Sequence, residues 1–422
     1  MKHALSGTEG GGQRSQSTRS RTAVTDPLPV ESWETDFDVL HPDYKADPFS
    51  IWNGLRSGCP VTHSTRQGRT WLPTRYQDVV DVAHDIEHFS SADPFLGDPA
   101  DEPILLYGLP PLSADPPLHT WARRILLPWF SHQRVEDYEP TTRKLCAQLI
   151  DGFIADGRAD AATDYAQQIP VWVIADILGV PAAMSDTFTG WVRDVVNYGD
   201  EPASRRQGVE GLAEFFTREL ALRKTDPGAD LLTDIVQAEL DGAPVEDAMA
   251  LGIAAMVLMA GVDTTWSAIG ASLWHLATHP GDQERLATDP DAVPSAIEEF
   301  LRAYSPVTMA RVVTEDVEFG ECPMKAGDKV LVNFPAANRD PEEFEDADRI
   351  DFDRDHNRHV AFGSGIHRCA GSNLARMVMG VALDEWLQRI PTFRLADGAD
   401  GADVAWSGGH VRGPLSVPVV FT

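Results

Sequence analysis

The sequence reads as a mainly α-helical chain with small peripheral β-sheets. Two patterns predict that class. Apolar residues recur at three- and four-residue spacing through long segments of the chain, whereas strand-like pieces are short and scattered. A third observation concerns organisation: beyond residue 30 there is no second linker and no repeat of solenoid period, so one large domain is expected although 422 residues could hold two or three.

Residues 1–30, rich in Gly, Ser, Thr, Gln and Arg and closed by Pro27 and Pro29, read as a flexible tail, and the domain is expected over 31–422. Helical spacing appears in Pro117–Leu127, Thr141–Ala155, Gln207–Arg223, Val245–Ala277, Ala292–Tyr304 and Gly371–Leu387. Strands are expected at Arg69–Pro73, Ala310–Phe319, Lys329–Phe334 and Ser416–Phe421. Strands and helices do not alternate regularly, which argues against an α/β fold.

Composition narrows the function classes. With 43% hydrophobic and 24% charged residues the chain is ordinary globular material. Asp+Glu number 65 against 35 Lys+Arg, a formal charge of −30, and such a surface repels phosphate backbones and anionic lipid. Neither nucleic acid nor a membrane is therefore an expected partner. Cysteines at 59, 146, 322 and 369 lack the short spacings of a disulfide framework or a four-cysteine metal site and suit a reducing cytoplasm. The longest apolar stretch, Leu251–Gly261, falls short of the ~20 residues that span a bilayer, and the N-terminal residues lack a signal-peptide core. The expected location is the cytoplasm.

One segment carries specific chemistry. Phe362-Gly363-Ser364-Gly365-Ile366-His367-Arg368-Cys369-Ala370-Gly371 stands directly before a long helical pattern. Its glycines let backbone approach something large and flat, and it presents one cysteine near the positive end of a helix, beside Arg368. Both features favour the thiolate, the metal-binding form. Cys59, Cys146 and Cys322 read as small buried hydrophobes. Other readings of the segment fail on spacing. A dinucleotide loop needs a third Gly where Arg368 stands, and His356, His359, His367 and Cys369 match no standard zinc pattern. Asp351-x-Asp353-x-Asp355 opens like a calcium loop, but His356 and Phe362 occupy the positions that need Gly and Glu.

The segment resembles the cysteine-ligand loop of cytochrome P-450 haem-thiolate monooxygenases, F-G-x-G-x-H-x-C-x-G in bacterial members. All six fixed positions are met, with Ala370 in place of the usual Leu. Three further segments follow the family's order. Glu299-Phe300-Leu301-Arg302 resembles its E-x-x-R pair, and Arg349 is expected as the third member of that structural network. Ala260-Gly261-Val262-Asp263-Thr264-Thr265 resembles the acid–alcohol pair above the haem. Taken alone, Thr264 would simply back-bond to the Ala260 carbonyl and bend its helix. Asp115-Pro116-Pro117-Leu118-His119-Thr120-Trp121-Ala122-Arg123 resembles the D-P-P-x-H-x-x-x-R segment.

The resemblance implies a single P-450-type helical domain enclosing haem b, with Cys369 as the axial ligand to iron. It assigns Thr264 to stabilising the activated oxygen and Asp263 to relaying protons. His119, Arg123, Arg311 and His367 would hold the haem propionates. Dioxygen would be co-substrate, and a C–H bond of a mostly apolar small molecule would be hydroxylated, or an O- or N-linked group removed. The pocket would be lined by Pro94–Tyr107, Met256, Met259, Ala260, Val307–Met309 and Ser407–Val411. No flavin or nicotinamide site is recognisable, so electrons would come from a ferredoxin-type donor to a monomer, docking near Arg123, Arg124, Arg143, Lys144, Arg368 and Arg376. A peroxide-driven peroxygenase and a non-catalytic haem protein are the alternatives. The Asp263–Thr264 pair counts against both.

Overall fold

The longest helical pattern becomes the Asp247–Thr278 helix at the centre of the molecule. In this computed structural model, residues 28–66, 69–96, 108–196, 202–396, 401 and 404–422 are described. The tail expected over 1–30 lies outside them as far as residue 27, and the Leu28 and Pro29 carbonyls accept hydrogen bonds from Arg66.

The central helix packs against the Gln168–Leu178, Pro202–Thr225 and Ser372–Arg389 helices. Ile253, Ala254, Ala255, Leu258 and Val262 are fully buried in it. A Cβ on Gly252 would sit 1.7 Å from the Gly108 carbonyl oxygen, so only glycine permits that approach. The helix runs well past Leu251–Gly261 because Asp263, Thr265 and Ser267 are buried with their apolar neighbours. It is long and apolar enough to cross a bilayer, but more than half of its most apolar window is buried within the protein, the situation of a core helix.

The other expected helices form with ends shifted by a few residues, for example Glu139–Phe153 and Val293–Ala303. Gln168–Leu178 was not signalled because almost every residue in it is apolar, which erases the period. The expected Ala310–Phe319 strand divides into Thr308–Val313 and Val317–Phe319. Between them Thr314 Oγ1 donates to the Glu87 carbonyl and Asp316 accepts from Ala326 N–H, pulling the chain off the ladder.

One sheet has the spatial order Val61–Ser64, Thr70–Pro73, Lys329–Asn333, Thr308–Val313, Phe89–Ser90. A smaller sheet joins Phe393–Leu395, Pro418–Phe421 and Arg158–Asp160. The architecture is mainly α with small sheets, as the sequence predicts.

Candidate active site

The Phe362–Gly371 loop folds back on itself before the Ser372–Arg389 helix. Gly363 and Gly365 have φ of +73° and +69°, and a Cβ on Gly365 would lie 2.5 Å from the Ala83 carbonyl oxygen. Glycine is therefore required at position 365 for both torsion and contact. Gly363 N–H donates to Val360 O at 2.8 Å and Cys369 N–H to Phe362 O at 2.7 Å, closing the loop. His84 Nε2 and Ser364 Oγ, 2.7 Å apart, tie it to the Tyr76–His84 helix.

This geometry leaves the Cys369 side chain open to an internal cavity while protein encloses it on the other sides. Burial pushes the thiol up, and the Gly371 N–H and the Arg123, Arg368 and Arg376 charges offset only part of that. The helix end and Arg368 thus act toward the thiolate, as the sequence predicts, against the larger opposing effect of burial. A metal cation at the sulfur would supply the remaining stabilisation of the thiolate. Of the other cysteines Cys146 is buried, but Cys59 and Cys322 are partly exposed rather than core residues.

Behind the loop, Glu299 and Arg302 form a fully buried pair with Nη2 to Oε1 at 2.8 Å. Arg302 uses all five N–H groups: two on Glu299 and three on the carbonyls of Asn338, Ala347 and Arg349. The third arginine is Arg354, whose Nε lies 3.2 Å from both Glu299 oxygens. Arg349 contributes its carbonyl while its side chain points outward, 67% exposed and 3.9 Å from Asp351. The expectation for Arg349 is corrected on that geometry.

The cavity encloses about 1960 Å³ of empty space, its mouth included. Arg123, Arg311 and His367 line it, and His119 packs on His367 with ring centroids 4.2 Å apart. Among the described residues neither nitrogen of His119 nor Nε2 of His367 makes a hydrogen bond of normal geometry, although the Ile366 backbone lies close enough to favour the protonated His119 ring through a weaker hydrogen bond. Burial, then Arg311, His119 and Arg123, push His367 down to about 2, and burial lowers Arg311 to about 10 against the pull of Asp115. His119 is likewise lowered, chiefly by burial and Arg123. The two histidines are therefore neutral donors beside two arginines that carry the charge.

On the central helix, Asp263 and Thr264 also line the cavity. Burial pushes Asp263 up to about 7, with a Trp266 hydrogen bond and the Arg193 charge opposing it. Thr264 Oγ1 donates to the Ala260 carbonyl at 2.9 Å. The back-bond expected of any helical threonine is thus present, and the oxygen lone pairs remain as acceptors.

Of the expected lining, Phe95, Met256, Met259, Ala260, Val307, Met309, His410 and Val411 are present, while residues 97–107 lie outside the described residues. Ile174, Val195 and Arg205 were missed, because they come from helices remote in sequence and carry no motif. The expected docking patch is reduced. Arg143 is held by Asp384, Glu385 and Glu139, and Arg376 by Glu298, so their charge is spent locally. Arg123 faces the cavity, which leaves Arg124, Lys144 and Arg368.

A buried thiol facing unpaired ring nitrogens and two arginines suits a large, flat metal complex with acidic arms: the sulfur would bind the metal, and the nitrogens and guanidiniums would compensate the acids. The residues fit haem, which makes the class a haem-thiolate protein. Comparisons with known proteins agree. The cytochrome P-450 family model matches residues 205–397. The probable cytochrome P-450 127A1 of Sinorhizobium fredii is 38% identical over 84% of this chain and 85% of its own. The mycinamicin IV hydroxylase/epoxidase of Micromonospora griseorubida is 36% identical over 83% of this chain and 89% of its own, and the vitamin D(3) 25-hydroxylase of Pseudonocardia autotrophica 34% over 91% and 96%. The solved Bacillus subtilis cytochrome P-450 PksS superposes with a TM-score of 0.82 at 26% identity, covering 92% of this chain and all of that one. The chain belongs to the cytochrome P-450 family. It is an oxidoreductase, a monooxygenase that uses haem, dioxygen, a redox partner protein and a small-molecule substrate.

Proposed function

We propose that this chain, over residues 31–422, binds haem b through Cys369 and hydroxylates, or O- or N-dealkylates, a mostly apolar small molecule, with electrons from a separate ferredoxin-type donor. The observation that carries the reading is one cavity shared by the Cys369 thiol, the Asp263–Thr264 pair and the nitrogens of Arg123, Arg311 and His367. Hydroxylases among the relatives support it. Haem at this site supplies dioxygen activation and oxidation of a C–H bond.

The chain's own residues do the rest. Cys369 Sγ binds the iron, helped by the Gly371 N–H and three arginine charges. His119, Arg123, Arg311 and His367 bind the propionates and fix the ring's orientation. Asp263, held near 7, takes a proton from solvent and gives it up at neutral pH. Thr264 Oγ1 accepts that proton's hydrogen bond and, on turning from the Ala260 carbonyl, donates its own into the cavity. Phe95, Met256, Met259 and Val307 exclude water around the substrate. The donor docks over Arg124, Lys144 and Arg368. The same reading makes the enzyme a cytoplasmic monomer without a flavin or nicotinamide site of its own.

The test is product formed per nicotinamide consumed, with a ferredoxin and reductase supplied. Thr264→Ala should keep consuming nicotinamide while yielding less product and more hydrogen peroxide, and Asp263→Asn should slow the whole cycle. An unchanged ratio in Thr264→Ala would contradict the proton-delivery role.

A further inference from the structure

Two cysteines far apart in the chain meet at one point outside the cavity. Cys59 closes the Pro48–Gly58 helix, its N–H bonding the Leu55 carbonyl at 2.8 Å. Cys322 opens the Cys322–Met324 strand of a hairpin whose other arm is Val317–Phe319. Both thiols reach the same acceptor: Cys59 Sγ donates to the Val61 carbonyl at 3.5 Å and Cys322 Sγ to the same oxygen at 3.7 Å. Sulfurs that share one oxygen are neighbours, and both are free thiols. Neither residue lines the cavity, so the chemistry proposed for Cys369 makes no use of them.

The edge of the sheet sets this meeting point. Val61–Ser64 is the terminal strand, paired with Thr70–Pro73. Thr74 N–H donates to the Pro60 carbonyl at 2.9 Å, so the next pair, Val61 opposite Pro73, is of the non-hydrogen-bonded kind and the Val61 carbonyl points off the edge. The hairpin brings Cys322 to that edge. Its tip is Gly320 and Glu321, between the paired Phe319 and Cys322, and Gly320, at φ +61°, has open space where a Cβ would stand. Nothing packs on the tip there, so it can close the gap that remains between the sulfurs. Both thiols are partly exposed, within reach of a small oxidant. Burial, then the Cys59 sulfur, Asp78 and Glu321, raise the Cys322 thiol, which suits it to resolve an oxidised partner rather than to meet the oxidant first.

We propose that Cys59 and Cys322 are a modification site, forming a reversible disulfide when the protein meets hydrogen peroxide and so tying the Pro48–Gly58 helix to the 317–324 hairpin. Cys59 Sγ, as thiolate, attacks one peroxide oxygen; a sulfenic acid forms and hydroxide leaves, taking up the thiol proton as water. The Cys322 sulfur then attacks Cys59 Sγ, the S–OH bond breaks, and the hydroxyl leaves with the second thiol proton as another water. Two thiols and one peroxide become one disulfide and two waters, the sulfurs losing the two electrons that peroxide gains. A dithiol reductant reverses the bond. The closed loop contains the central helix and the Thr308–Val313 strand, which carries Met309 and Arg311 of the cavity wall. Cross-linking restricts the unfolded chain most when the loop is long.

The experiment exposes the haem-loaded protein to graded hydrogen peroxide, blocks the remaining thiols and maps peptides without reduction. A peptide cross-linked through Cys59 and Cys322 within one chain should appear at peroxide levels that leave Cys146 a thiol, and dithiothreitol should remove it. The oxidised protein should unfold about 2 °C or more above the reduced one. Cys59→Ser and Cys322→Ser, treated alike, should show no such gain, and they report any damage to the haem itself. Absence of the cross-link, conversion of either cysteine to sulfinic acid instead, a cross-link between two chains, or a gain no larger than in the variants would overturn the proposal.

Discussion

Two charged clusters flank the cysteine loop, and they are in opposite states. In the Glu299 cluster every Arg302 donor has an acceptor and the acid is shared by two arginines, so the group is complete within the protein. In the His119–His367 cluster three buried ring nitrogens make no hydrogen bond of normal geometry among the described residues, and the Arg311 and Arg123 charges beside them disfavour protonating the rings. Native structures rarely tolerate such unmet groups unless a ligand meets them. The first cluster builds the platform for the loop, and the second marks where an anionic group is to be added.

Breaking the complete cluster should have the largest effect. Glu299→Gln leaves Arg302 and Arg354 facing an uncharged amide in a dry site, with an expected loss of roughly 3–5 kcal/mol in urea unfolding. Burial raises the Glu299 pKa, but hydrogen bonds and charge from Arg302, with help from Asp351 N–H and Arg354, lower it further, so it lies below the usual carboxylate range. Its stabilisation is present above the unfolded carboxylate pKa and is lost as pH falls through the lower folded one. Nearby Glu298, held down to about 2 by Arg376 and His359 against burial, should add to the same acid sensitivity. Arg354→Met should also destabilise strongly, while Arg349→Met stays within about 0.5 kcal/mol. Equal effects at 349 and 354 would erase the contrast between them.

Asp263 has the opposite sign. Burial first, against Trp266 and Arg193, raises it from 3.8 to about 7, so ionising it costs folding energy. The penalty is absent below the unfolded pKa and grows as pH rises toward the folded one. Asp263→Asn should therefore stabilise the haem-free chain by roughly 2–4 kcal/mol at pH above about 7 and change little near pH 4. Thermal unfolding at the two pH values checks this, and equal shifts at both would refute it.

The smallest effect separates the clusters most cleanly. His367→Leu removes a nitrogen that has no partner, so in haem-free protein it should cost no more than about 1 kcal/mol. In loaded protein it removes a propionate donor, and haem should dissociate about tenfold faster. A large loss in the haem-free chain would show that His367 is a packing residue instead.

Much of this was legible in the sequence, for physical reasons that differ by element. The cysteine loop could be read because Gly363 and Gly365 are dictated by torsion and contact, so few residue types are allowed there. Glu299 and Arg302 could be read because three residues on a helix fix their shared face. Arg354 could not. Between Asn338 and Val360 the chain is held by side-chain-to-carbonyl hydrogen bonds without a period, so sequence position does not reveal which arginine turns inward. Arg205 was hidden for another reason: helices far apart in sequence meet only in the fold, and a single arginine on a polar helix looks like surface charge.

The most direct test of the account is the absorption spectrum of the reduced, carbon monoxide-treated protein in single cysteine variants. If Cys369 binds the haem iron, Cys369→Ser should lose the red-shifted Soret band of thiolate-bound haem, whereas Cys59→Ser, Cys146→Ser and Cys322→Ser should retain it. Persistence of the band in Cys369→Ser, or its loss in one of the other three, would contradict the assignment on which the proposed chemistry depends.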